Sequence, residues 1–111
     1  MKRDDFRRLA LALPEAIESQ HQGSPDFRVA NKIFASFGVR DPRFAVVKLS
    51  PPDQEMLCGA EPQIFAPIDG AWGRRGWTKV NLSKVDASAA QSALSAAWRT
   101  VAPRKLVAAH S

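Results

Sequence analysis

Residues 70–82, GAWGRRGWTKVNL, constrain the fold more than any other stretch of the chain. From Trp77 onward the residues alternate, with Thr78, Val80 and Leu82 on one side and Trp77, Lys79 and Asn81 on the other, the period of a strand with one buried face. Val80 and Leu82 then point into a core and Lys79 stays in water. Ahead of that strand the segment Trp72-Gly73-Arg74-Arg75-Gly76-Trp77 has to reverse the chain. Gly73 and Gly76 take positive φ at little cost, and the two residues between them suit a two-residue hairpin loop that sets Trp72 against Trp77 across a ladder. The alternative is a helical turn over residues 72–76, because Arg-Arg is not a preferred pair for a primed turn.

The rest of the chain supplies what that strand packs against. Phe6, Leu9, Ala10 and Leu13 recur at helical spacing, with Asp4 and Asp5 in the first turn and Arg7 and Arg8 after them, so a first helix is expected before Pro14. Turn chemistry at Gly23-Ser24-Pro25-Asp26, at Ala30-Asn31 and at Arg40-Asp41-Pro42 separates short apolar runs, Phe27-Arg28-Val29, residues 32–37 and residues 44–49, into an antiparallel meander of three or four strands. Ser50 caps and Pro51 opens a short helix that Gly59 is expected to stop. Ile64 and Phe65 read as an edge strand limited by Pro67. Ser88 with Gln91 fits a capping box, and Ala90, Leu94, Ala97, Trp98 and Val101 form the apolar face of the main amphipathic helix. After Pro103 a last turn or two packs Leu106 and Val107. Helices segregated from strands in this order, roughly α-β(3–4)-α-β(2)-α, argue for an α+β fold, an antiparallel sheet covered by helices.

With 111 residues and 45% hydrophobic content the chain builds one core, and residues 1–111 are expected to form a single domain. The run Leu9-Ala10-Leu11-Ala12-Leu13 is too short for a membrane span and lacks the flanks of a signal peptide. Cys58 is the single cysteine, so no intramolecular disulfide can form, and a reducing cytoplasm is the simplest compartment. The net charge of +5 is unevenly placed: residues 1–69 carry 9 basic and 10 acidic side chains, whereas residues 70–111 carry 7 basic ones and only Asp86. A positive C-terminal third is a reason to consider nucleic acid, an anionic membrane or an acidic protein as partner, and is equally what a basic protein without such a partner shows.

The motifs Leu13-Pro14-Glu15-Ala16, His21-Gln22-Gly23-Ser24-Pro25-Asp26-Phe27-Arg28-Val29, Lys32-Ile33-Phe34-Ala35, Val47-Lys48-Leu49, residues 70–77, Val80-Asn81-Leu82 and Ala97-Trp98-Arg99, with Ala102-Pro103-Arg104-Lys105-Leu106, resemble the MmcQ/YjbR family nearly end to end. The resemblance implies a small two-layer α/β domain similar to secretion chaperones, in a family described as DNA-binding.

Few residues suggest chemistry. His21 lies near Glu18 and Asp26 in sequence, a proton-transfer arrangement or a structural histidine, with no nucleophile recognisable beside it. Two histidines and one cysteine give no metal-ligand spacing, and Gly70-x-x-Gly73-x-x-Gly76 leads into no helix bearing Lys-Ser/Thr, so it is no phosphate loop. Cys58 on an apolar helix face reads as a small hydrophobe, and His110 is near the end of the chain. No metal or cofactor is expected, and no enzymatic activity. Trp98 belongs to the core. Trp77, on the Lys79 side of its strand, could stack on a base unless a bulge at Gly76 or an overlying helix buries it. The leading function is weak nucleic-acid binding, with Arg74 and Arg75 on phosphates and Lys79, Trp77, Arg104, Lys105, Arg28 and Lys32 widening the patch. The rivals are a protein-interaction or chaperone-like module, as a homodimer, and a small-anion or drug pocket near His21, Arg28 and Trp77 that a concave surface favours and a filled core excludes.

Overall fold

The apolar face of the long helix α4 (Ala87–Val101) is where the core is assembled: Ala90, Ala93, Leu94, Ala97, Trp98 and Val101 are all buried. It packs on β3 (Lys32–Phe37), on β4 (Phe44–Lys48) and against α1 (Arg3–Leu11). The computed structural model describes residues 1–38 and 41–110. The remaining elements are β1 (Ile17–His21), β2 (Ser24–Val29), α2 (Pro51–Ala60), β5 (Phe65–Pro67), α3 (Ala71–Arg74), β6 (Trp77–Asn81) and α5 (Arg104–Ala109). The strands make one sheet in the order β1-β2-β3-β4-β6-β5, and every pairing in it is antiparallel.

Local sequence explains the sheet. Gln22 and Gly23 (φ 50° and 78°) and Ala30 and Asn31 (φ 50° and 64°) close the first two hairpins as two-residue loops with positive φ throughout, as primed turns require. Asp41 and Pro42 fall in the next turn, where the Phe44 amide donates to the Asp41 carbonyl at 3.2 Å, while Arg40 lies outside the described residues. The register places Phe27, Ala35, Phe37, Ala45, Val47 and Val80 on the helix-covered face. There Phe6 of α1 meets Phe27 and Phe37, with ring centres 5.7–6.4 Å apart in tilted and edge-to-face contacts.

Three expectations are corrected. Helix α2 runs through Gly59 to Ala60 and ends at Glu61, because the residue before Pro62 is driven out of the α region, here to φ −138°, ψ 69°. The cap of α4 is Asp86, whose carboxylate accepts from the Ala89 amide at 2.8 Å, in place of a capping box from Ser88. Residues 71–74 form the helical turn α3 and not a hairpin loop. The glycines there serve close backbone approach: a Cβ on Gly73 would lie 1.7 Å from the Ile68 carbonyl oxygen, and one on Gly76, at φ 105°, would lie 1.9 Å from that of Leu49. Ser50 caps α2 as expected, accepting from the Asp53 amide at 3.3 Å.

No helix among the described residues is long and apolar enough to cross a membrane. Trp98 is 3% exposed and its indole N–H donates to the Pro14 carbonyl at 3.0 Å, so it tethers the segment after α1 to α4. Trp98→Ala is expected to cost roughly 3–5 kcal/mol through the cavity and the lost donor. A denaturant midpoint unchanged by that substitution contradicts this placement of the helix.

Candidate functional site: a groove on the open face of the sheet

Strand alternation sends a second set of side chains away from the helices. Ser36 on β3, Val46 on β4 and Lys79 on β6 are in cross-strand register, and Phe44, Lys48 and Trp77 follow the same parity. All six are partly exposed. All of them but Lys48, together with Ile33, Ile68 and Trp72, border a groove of about 920 Å³ whose floor is largely apolar. Trp77 and Lys79 both line it, on the face the sequence assigned them. No bulge or helix buries Trp77, which remains half-exposed.

The geometry of α3 builds one wall. Its helical turn brings Trp72, 58% exposed, edge-to-face onto Trp77 at 6.3 Å between ring centres. These two rings meet as the sequence suggested, through the turn and not across a ladder. Arg75 follows the turn, with its guanidinium carbon 5.5 Å from the Trp72 ring centre, within cation–π range. Arg74 closes the turn and is exposed.

The opposite end of the groove is built on a buried carboxylate. Asp26 is fully buried on β2; its Oδ1 accepts from Arg28 Nε at 2.8 Å and its Oδ2 from Arg28 Nη2 at 3.0 Å, and His21 Nδ1 lies 2.7 Å from the same Oδ2. Burial works against the Asp26 charge, but the hydrogen bonds from Arg28 and His21 outweigh it and hold the carboxyl below its ordinary value. A carboxylate at that distance assigns a proton to Nδ1, so Nε2, on the far edge of a ring that lines the groove, has no hydrogen-bond partner among the described residues. Glu18, the other suggested partner of His21, pairs instead with Arg7 at 3.0 Å. At the groove's rim Asp41 is gripped by Arg43 through Nε and Nη2, at 2.8–3.2 Å, which lowers its carboxyl to about 2.

The sequence-assigned patch therefore divides. Trp77 and Lys79 line the groove, Arg75 lies over the Trp72 ring outside it, and Arg74 is exposed at the end of α3. Arg28 shares the face but is committed to Asp26, and Lys32 is exposed at the start of β3. Arg104 and Lys105 open α5, which lies beside Glu15, Val29 and Ala30, and neither residue borders the groove. Phe44, Val46, Ile33, Ser36, Ile68 and Asp41 were not singled out as site residues. For the four on strands, Phe44, Val46, Ile33 and Ser36, the only sequence signal is parity within each strand, which becomes informative once the register between strands is known. Cys58 is half-buried on α2, where burial pushes its thiol up, and no cluster of metal-ligating side chains occurs among the described residues.

Because the Asp26 carboxyl is lowered in the folded state, its contribution to stability is present above the unfolded carboxylate range, near the ordinary value of 3.8, and disappears as pH falls through its lower folded value. Asp26→Asn is expected to cost about 3 kcal/mol at neutral pH, since it strips the Arg28 guanidinium of its carboxylate in a buried setting. The variant should also show a flatter fall in stability below about pH 4 than the parent. Equal stabilities at neutral pH, measured by denaturant titration, contradict the role given to Asp26.

The YjbR family model matches residues 11–100, a span that contains all six strands and every groove residue named above. No curated protein matches the chain. The crystal structure of the Deinococcus radiodurans protein DR2400, a DUF419 domain, superimposes with a TM-score of 0.76 over 94% of this chain and 80% of that one, at 24% sequence identity, a likeness of fold. With a six-stranded antiparallel sheet packed on helices and a family match over most of its length, the chain belongs to the YjbR family.

Proposed function

We propose that this domain is a non-catalytic binding protein whose open sheet face takes up a small planar ligand. The observation that carries the reading is the groove itself: about 920 Å³ of concave, mainly apolar surface, walled by Trp72 and Trp77. That volume is in the range of small-molecule sites, and a few polar groups among aromatic walls are their usual lining. His21 supports binding more than catalysis, because its ring is tied to Asp26 and no hydroxyl or thiol nucleophile among the described residues is hydrogen-bonded to it.

The test is a titration with N-phenyl-1-naphthylamine, an uncharged fluorescent ring system. Saturable one-to-one uptake is expected, weakened roughly fivefold or more by Trp72→Ala. The stability of that variant should stay within about 0.5 kcal/mol of the parent, since the side chain is largely exposed. Absence of saturable uptake contradicts the proposal.

Nucleic-acid binding is the second reading, favoured by the stack of Arg75 on Trp72, with Trp72 in turn against Trp77 and Lys79 beyond. Rings flanked by cations on an exposed sheet suit unpaired bases better than duplex. On this reading Arg74→Ala with Arg75→Ala lowers the slope of log affinity against log salt by about 1.4 on a single strand and about 1.8 on duplex. A double variant that keeps the parent's slope removes both arginines from any phosphate contact.

A further inference from the structure

The groove's charges are unevenly satisfied, and the imbalance says what kind of ligand it takes. Among the described residues two carboxylates are placed at it, and each is already saturated: Asp26 by Arg28 and His21, Asp41 by the Nε and Nη2 donors of Arg43. A cationic ligand would find no open acceptor of full negative charge there. Lys79 is in the opposite condition. Its ammonium reaches into the groove 5.2 Å from the Phe44 ring centre, and among the described residues it has no carboxylate within salt-bridge distance. Asp41 feels Lys79 through space, but its hydrogen-bonding capacity is spent on Arg43. A neutral apolar ligand would strip water from the Lys79 ammonium and return no hydrogen bond, which is unfavourable. An anion of matching position would replace that water with a charge-assisted bond.

We infer that the groove accepts a planar aromatic anion, its rings against Trp77 and its negative group on Lys79 Nζ. The inference rests on the small-ligand reading above and adds the charge and its position. Arg74 and Arg75 are outside the groove, so the site does not need them.

The experiment compares two probes of one ring framework, 8-anilinonaphthalene-1-sulfonate and the uncharged N-phenyl-1-naphthylamine, titrated into the parent and into Lys79→Gln, Lys79→Arg and the Arg74→Ala/Arg75→Ala pair, with circular dichroism to confirm folding. The parent should bind the sulfonate about fivefold or more tightly than the neutral probe at low salt, with the gap narrowing as salt rises. Lys79→Gln should erase the gap, chiefly by weakening the sulfonate, and Lys79→Arg should keep most of the gap. The arginine pair should leave it intact. Equal affinities in the parent, or a preference that survives Lys79→Gln, overturns the inference and leaves the small-ligand reading standing. If neither probe binds saturably, both fall together.

Discussion

The arrangement of the site depends on one close backbone crossing. At Gly76 the chain passes over Leu49, whose amide donates to the Gly76 carbonyl at 2.9 Å, and the hydroxyl of Thr78 donates to the same oxygen at 3.0 Å. Any side chain at Gly76 would enter the Leu49 carbonyl, and its φ of 105° excludes most residues on conformational grounds alone. Gln54, one turn into α2, donates to Thr78 Oγ1 and to the Gly73 carbonyl, both at 3.0 Å, so the same crossing fastens α2, α3 and the start of β6 together. The consequence for function is positional. Because α3 must descend onto β6 at this point, Trp72 is held against Trp77 and Arg75 over Trp72, and the groove gains a wall.

The second constraint is topological. An antiparallel sheet needs only one covered face, and in this chain α1 and α4 supply that cover over Phe27, Ala35, Phe37 and Val47. The side chains of opposite parity are then left outside the core. They combine aromatic and aliphatic surface with Lys79, while the carboxylates nearby are each held by an arginine. The +6 of the C-terminal third is thus not one surface. Lys79 lines the groove, Arg74 and Arg75 sit at the end of α3 outside it, and Arg104 and Lys105 go with α5.

Much of this was legible in the residues. Alternation over residues 77–82 gave the faces of β6 correctly, the apolar spacing of α4 gave its buried face down to Trp98, and the meander expected as three or four strands has four, although Ser24, Pro25 and Asp26, read as turn, belong to β2. Those signals are local, set by periods of two and 3.6 residues. What escaped is non-local. The choice between hairpin and helical turn at residues 71–74 is decided by Ile68 and Leu49, which no pattern within the turn reveals. The role of Asp26 depends on a hairpin register that brings His21 and Arg28 to the same carboxylate. Likewise, Phe44, Val46 and Ser36 read as ordinary half-buried strand residues until the order β3-β4-β6 sets them side by side. The family resemblance carried the fold, confirmed over residues 11–100, and was silent on the groove.

On the proposed reading ligands bind on the open face and not in the core, and the three tryptophans report on this directly. Trp72 and Trp77 wall the groove, whereas the Trp98 indole is buried on the other side of the sheet and bonded to the Pro14 carbonyl. In a nitrogen–proton correlation spectrum each indole gives its own peak. Saturating 8-anilinonaphthalene-1-sulfonate is predicted to move the Trp72 and Trp77 peaks and leave that of Trp98 in place. Movement of Trp98 with Trp72 and Trp77 unshifted would contradict the account.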